Sequence, residues 1–143
     1  MRLSKGIRLG HVNLEVSNLA RARKFYDPFL REIGFRLIPI TDRYWVGYRR
    51  GALNLWLTVS RPRIAVRRSP LVPTNGAKDP ISDHLGFWVP SERQIAKIEA
   101  RLIRQGLVPV YPIDRLKVWG GRWYISDAWK DPDNNVLELY TLR

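Results

Sequence analysis

The chain has 143 residues, 45% of them hydrophobic, with six Trp and a formal net charge of +12. That length suits one domain with a buried core, and the apolar content excludes a disordered tail. The lack of Cys excludes disulfides, thiolate metal ligands and cysteine nucleophiles.

No apolar run is long enough to span a bilayer, so no membrane partner is expected. The start MRLSKGIRLGHVNLEV carries no apolar signal core. A cytoplasmic protein is the expectation. The positive charge points to an anionic partner, from a small carboxylate or phosphate up to nucleic acid. Its basic residues run from Arg2 to Arg143, with only Arg61, Arg63, Arg67 and Arg68 clustered. No zinc-finger spacing, glycine-rich phosphate loop or RNA-recognition signature accompanies them, so nucleic acid is not the expected main partner. Arg also outnumbers Lys, and a basic surface without a function is the plainer explanation of the charge.

Taken in chain order, His11 opens a short alternating strand through Val16, and Ser17-Asn18 supplies a helix cap. Leu19, Ala22, Phe25, Tyr26, Phe29, Leu30 and Ile33 recur at helical spacing up to Gly34. Strands are expected over 35–40, 44–49 and 52–59, with a turn at Arg50-Gly51 between the last two. This is β-α-β-β-β. From residue 83 the order repeats. His84 to Val89 reads as a strand, Ser91 as a cap, and Ile95, Ile98, Leu102 and Ile103 as an apolar helix face ended by Gly106. Strands over 107–111, 122–129 and 135–142 follow. The equivalences are specific: His11 with His84, Gly34 with Gly106, Pro39 with Pro112 as strand ends, and Leu55-Trp56-Leu57 with Leu137-Glu138-Leu139. The expectation is an α+β fold, two tandem βαβββ modules forming a cupped, barrel-like mixed sheet with helices outside. Residues 1–143 form one domain: module one over 7–59, a linker over 60–82, and module two over 83–143. A linker that long is usually functional or mobile.

Strand alternation puts His11 on a face with Asn13 and Glu15, His84 with Gly86 and Trp88, and Glu138 with Val136 and Tyr140. The two histidines are the only ones in the chain. If a pseudo-twofold axis relates the modules, both reach one concave centre, and Glu138 joins them. Two imidazoles and a carboxylate match the facial triad that holds a divalent metal and leaves positions open. The competing reading is a buried Glu138 paired with an arginine, Arg122 for instance, with both histidines in a polar cup.

The stretches GHVNLEVSNLARARKFYDPFLREIGF, SDHLGFWVP and KDPDNNVLELY resemble the vicinal-oxygen-chelate superfamily, which includes glyoxalase I, extradiol dioxygenases, fosfomycin-resistance transferases and bleomycin-resistance proteins. Asn134 stands where the family's turn usually has Gly, and Asn also tolerates a left-handed backbone. The resemblance implies His11, His84 and Glu138 as ligands of one divalent metal ion per site, whether Fe(II), Mn, Ni, Co or Zn. Trp56 occupies the position of the further ligand seen in glyoxalase I, and Trp cannot ligate. Extradiol dioxygenases add a second-shell histidine, and this chain has no third one. The implied function is a metal-dependent isomerase, lyase or group transferase, rather than an oxygenase, acting on a small anionic, oxygen-chelating substrate. The alternative is a metal-free binding or sequestration protein of the bleomycin-resistance type. Strand parity and the resemblance together turn Arg122, Tyr124, Ser126 and Ala128 inward. Tyr124 and Tyr140 are then candidate catalytic groups, and Arg122, Ser126, Trp56 and Trp88 candidate substrate contacts; wall packing is the competing role for both Trp and for Tyr140. Each module leaves open sheet edges that must pair. A homodimer is expected, with His11 of one chain meeting His84 and Glu138 of the other, although the linker could also loop back within one chain.

Overall fold

The computed structural model describes residues 9–40, 42–59 and 84–143. The linker over 60–82, with its arginine cluster, lies outside the described residues. Module one runs β1 (His11–Glu15), α1 (Leu19–Glu32), β2 (Arg36–Leu37), β3 (Trp45–Arg50) and β4 (Leu53–Thr58). Module two runs β5 (His84–Trp88), α2 (Glu92–Arg104), β6 (Pro109–Lys117), β7 (Trp123–Lys130) and β8 (Val136–Leu142). A single 3₁₀ turn, Trp119–Gly121, joins β6 to β7. The fold is α+β in two βαβββ modules, as the repeat implies. Among the described residues no helix is long and apolar enough to cross a membrane.

Each module forms its own four-stranded mixed sheet, ordered β1-β4-β3-β2 and β5-β8-β7-β6. The two sheets are not closed into a barrel. In both modules the first strand pairs in parallel with the last, His11 opposite Asn54 and His84 opposite Val136. These registers reproduce the sequence equivalence residue for residue, because Leu55, Trp56 and Leu57 then match Leu137, Glu138 and Leu139.

Both helices start where the sequence supplies a cap. The Asn18 side chain accepts from the Arg21 amide at 2.9 Å, and the Ser91 hydroxyl accepts from the Gln94 amide at 3.3 Å. Gly34 and Gly106 follow them, each at φ 88, a left-handed value that favours glycine. Pro28 sits inside α1 and removes one helical donor. The apolar stripe of α1 outweighs that loss, since Ala22, Phe25, Tyr26, Phe29 and Leu30 are all buried. In α2 the buried stripe is Ile95, Ile98 and Leu102. Ile103, expected on that face, is 48% exposed; it lies one residue, about 100° of helix, beyond Leu102.

Two strands differ from their expected extents. Residues 35–40 keep only Arg36–Leu37 as strand, because the Ile40 amide turns back onto the Ile38 carbonyl. Pro112 does not end its strand: β6 continues to Lys117, and the ladder slips between Tyr111 and Asp114. A bulge accommodates the missing N–H there.

One hydrophobic core spans both modules, from Val16, Phe29 and Leu57 to Ile95, Trp129 and Leu139. Phe29 is its hinge, with its ring 6.4 Å from Phe87 and 6.1 Å from Trp129. The module contact is also polar. Asp131, 4% exposed, accepts from the Tyr26 hydroxyl at 2.7 Å, from the Asp133 and Asn135 amides, and from Asn135 Nδ2. Asn135 Nδ2 also donates to the Glu15 carbonyl, and the Ser17 amide to Asp133. Asn134 takes φ 66, the left-handed turn position expected of it.

Candidate functional site

The outer faces of β1 and β5 carry the two histidines, and the ladders fix what lies beside them. Directly paired residues in adjacent strands project to the same face. In module two this gives the rows His84–Val136–Lys130, Gly86–Glu138–Ala128 and Trp88–Tyr140–Ser126–Asp114. In module one it gives His11–Asn54–Arg49–Arg36, Asn13–Trp56–Gly47 and Glu15–Thr58–Trp45.

Glu138 is at the centre of the module-two face. It is 4% exposed although it points away from the helix layer. Its Oε2 lies 3.0 Å from His84 Nε2 and accepts from the Tyr124 hydroxyl at 2.7 Å. Among the described residues no arginine pairs with it; Arg122 is exposed and sits one residue before β7. Gly86 makes the contact feasible. A Cβ there would come within 3.3 Å of both Glu138 Oε2 and the Tyr140 ring. Tyr124 and Tyr140 stack with centroids 5.4 Å apart and planes 13° from parallel. Burial, then the hydrogen bond to Glu138, push the Tyr124 phenol above its usual range. It therefore acts as a hydrogen-bond donor near neutral pH, not as a base.

An open groove of about 830 Å³ adjoins this cluster, lined by Tyr111, Ile113, Leu116, Tyr124, Ser126 and Glu138 among others. Ser126 is thus at the groove, whereas Trp88 is 59% exposed on β5 beyond those residues. Trp56 has a packing role in module one. Its ring lies across Gly47, where a Cβ would meet it at 2.3 Å, and it contacts Trp45 with centroids 5.8 Å apart.

His11 is not part of the Glu138 cluster. It is exposed on β1 in the other sheet, and among the described residues no group of three His, Asp or Glu could hold a metal. The two donors that do meet are in direct ion-pair or hydrogen-bond contact, at a separation that two neighbouring ligands of one ion would also have. Ligands about 2.1 Å from one ion and at right angles to each other are about 3 Å apart, the separation of His84 Nε2 and Glu138 Oε2. One chain thus offers two donors of the three, with the third on the separate face of module one.

Strand alternation places Gly86 beside His84, but three residues of these faces, Asn54, Arg49 and Arg36, emerge only from the strand registers. The sequence reading also missed Asp127, 1% exposed on the helix side of β7, where burial pushes its carboxyl up to about 7.

The sequence matches the Glyoxalase/Bleomycin resistance protein/Dioxygenase superfamily over residues 8–139, and the chain belongs to that superfamily. Its fold is shared with solved structures of low sequence identity. A candidate glyoxalase from Bacillus halodurans is 24% identical with a TM-score of 0.67, covering 95% of this chain and 96% of that one. A glyoxalase/bleomycin resistance protein/dioxygenase from Alicyclobacillus acidocaldarius is 16% identical, TM-score 0.64, with 98% and 93% covered. A lactoylglutathione lyase from Agrobacterium tumefaciens is 16% identical, TM-score 0.63, with 96% and 95% covered. No curated protein matches the chain in sequence.

Proposed function

We propose that the protein is a cytoplasmic, divalent-metal-dependent enzyme, an isomerase, lyase or group transferase, acting on a small anionic substrate through two neighbouring oxygens. The metal is held by His84 and Glu138 of one chain and His11 of a second, in a homodimer with two such sites. The observation that carries this reading is the His84–Glu138 pair, 3.0 Å apart with the carboxylate buried and no arginine beside it among the described residues. A buried carboxylate whose nearby partners are an imidazole and a phenol, with no permanent cation, is costly to keep ionised, and a metal ion would supply that charge. When bound, the ion polarises the chelated oxygens as a Lewis acid. The chain's own residues do the rest. Tyr124 orients Glu138 by donating its phenolic proton to Oε2, the Tyr124–Tyr140 stack keeps that phenol in place, and Ser126 adds a donor along the wall.

Superfamily membership supports an enzyme only in general terms, because one scaffold hosts many chemistries. Metal analysis of untagged protein tests the proposal. Metal near one equivalent per chain, lost on Glu138→Ala, is expected. No uptake after incubation with Mn, Fe(II), Ni, Co and Zn salts overturns it and favours a metal-free sequestration protein on the same face.

A further inference from the structure

The two modules diverge most in the strand at the far edge of each sheet. In module one β2 has two residues, whereas its counterpart β6 has nine, Pro109–Lys117. The slip in the β6 ladder decides where that extra length points. Tyr111 pairs with Ala128 and Asp114 with Ser126, so a step of three residues on β6 matches a step of two on β7. In a regular strand Tyr111 and Asp114 would project to opposite faces. The bulge turns both, and then Leu116 opposite Tyr124, onto the face that carries Glu138. The core does not claim Tyr111 or Leu116, which are 43% and 64% exposed.

These side chains form one wall of the groove of about 830 Å³ that reaches Glu138, a size within the roughly 300–1,000 Å³ of small-molecule sites. Module one closes the matching place itself. There Trp56 stands where Glu138 does and Gly47 where Ala128 does, and the indole lies across Gly47. The charge of the groove runs against that of the chain. The net charge is +12, yet among the described residues no Lys, Arg or His lines the groove. Asp114 is in its wall, and no ion pair among the described residues involves that carboxylate. A negative charge on a bound molecule would meet Asp114 with nothing to offset the repulsion. An uncharged apolar group would instead cover Tyr111 and Leu116 and remove their surface from water.

We propose that the bulged β6 wall is the specificity surface of the candidate site: it holds an uncharged aromatic body of the substrate, and Asp114 rejects a second anionic group there. This rests on the reading given above only for the chelating head, whose oxygens lie at the Glu138 end. Asp114 is two strands away from β8, which carries Glu138, roughly 10 Å between backbones. A phenyl ring two or three bonds from the head reaches across that distance. A ring suits the place because Tyr124, stacked on Tyr140, already gives the groove a planar aromatic side. The substrate class is therefore an aryl-bearing molecule with its charge confined to the chelating end.

Two titrations test the proposal and separate it from the metal reading. On metal-loaded protein, 2-oxo-4-phenylbutanoate, α-ketoglutarate and 2-oxobutanoate share a head and differ in the body. The phenyl acid should bind about tenfold more tightly than 2-oxobutanoate, and α-ketoglutarate no more tightly than 2-oxobutanoate. Leu116→Ser should reduce the phenyl preference. Asp114→Asn should remove the penalty on α-ketoglutarate, and Asp114→Lys should raise its binding above that of 2-oxobutanoate. Both positions are exposed, so these variants should melt as the wild type does. A phenyl acid bound no better than 2-oxobutanoate, or a wild-type preference for α-ketoglutarate, overturns the proposal. On metal-free protein, 3-phenylpropanol, which is the body without the head, should shift the Leu116 and Ile113 methyl resonances, and glutarate should not. If the protein takes no metal yet this response is present, the groove assignment stands and the metal reading falls. If metal binds but 3-phenylpropanol moves nothing, the groove assignment falls alone, which is also the result if a second copy of the chain fills the groove.

Discussion

At the residue scale, two positions illustrate what a local sequence pattern cannot disclose. Gly47 faces Trp56 across β3 and β4, and the indole occupies the space its side chain would need. Gly47→Ala forces that ring off its rotamer and should destabilise the protein by about 1–3 kcal/mol, as read by urea denaturation. Nothing in the bare sequence WVGYRR announces this, since the constraint comes from a strand several residues away. Asp127 is the second case. Its carboxyl is pushed up to about 7 from 3.8 by burial first, with the charges of Glu99 on α2 and of Glu138 adding to it; the Trp129 side chain and then the Leu139 amide at 3.3 Å offset part of that. The folded state thus holds a proton that the unfolded chain releases. The associated stability is fully present below about pH 4 and is lost as pH rises toward 7, with a slope of at most about 1.4 kcal/mol per pH unit. Asp127→Asn should remove that part of the pH dependence. Comparing denaturation midpoints of wild type and variant at pH 4.5, 6 and 7.5 measures it, and parallel curves would refute the assignment.

At the element scale, the turn between β7 and β8 does two jobs that its sequence only half reveals. Asp131-Pro132-Asp133-Asn134-Asn135 is legible as a turn, because these residue types tolerate or fix its dihedrals. Its second job is to fasten α1 of module one to module two through Tyr26 and Asp131, a contact between residues 105 apart in the chain. Tyr26→Phe removes one hydrogen bond and leaves Asp131 otherwise satisfied, which should cost about 0.5–1.5 kcal/mol. Asp131→Ala leaves the Asp133 and Asn135 donors without their acceptor and should cost more, about 2–4 kcal/mol. Denaturant midpoints order the two. An Asp131→Ala protein as stable as Tyr26→Phe would mean the carboxylate serves the turn alone. Helices were the most legible elements, because a buried stripe and a cap agree at each start. The short β2 and the bulged β6 were the least legible, since both depend on neighbouring strands for their hydrogen bonds.

At the scale of the whole molecule, the repeat made the two-module fold readable and left the relation between the modules open. The equivalence of Trp56 with Glu138 follows from either reading of the chain, yet only the three-dimensional arrangement separates His11 from the other two candidate ligands. Within one chain His84, Glu138 and Tyr124 form a cluster, while His11 stands with Asn54 and Arg49 on the other sheet. Strands β1 and β5 each have a ladder on one side only among the described residues, so both histidine-bearing strands are sheet edges. Unpaired edges favour association, and a twofold contact between two copies gives two identical sites at once. Mixing His11→Ala and His84→Ala proteins under conditions of subunit exchange decides whether those sites are shared. Each variant alone should bind metal weakly at both sites. A mixed dimer combines one chain with His84 and Glu138 intact and one with His11 intact, so it should regain one full-affinity site of two. Exchange confirmed by mass, with no metal uptake regained, would end the shared-site reading.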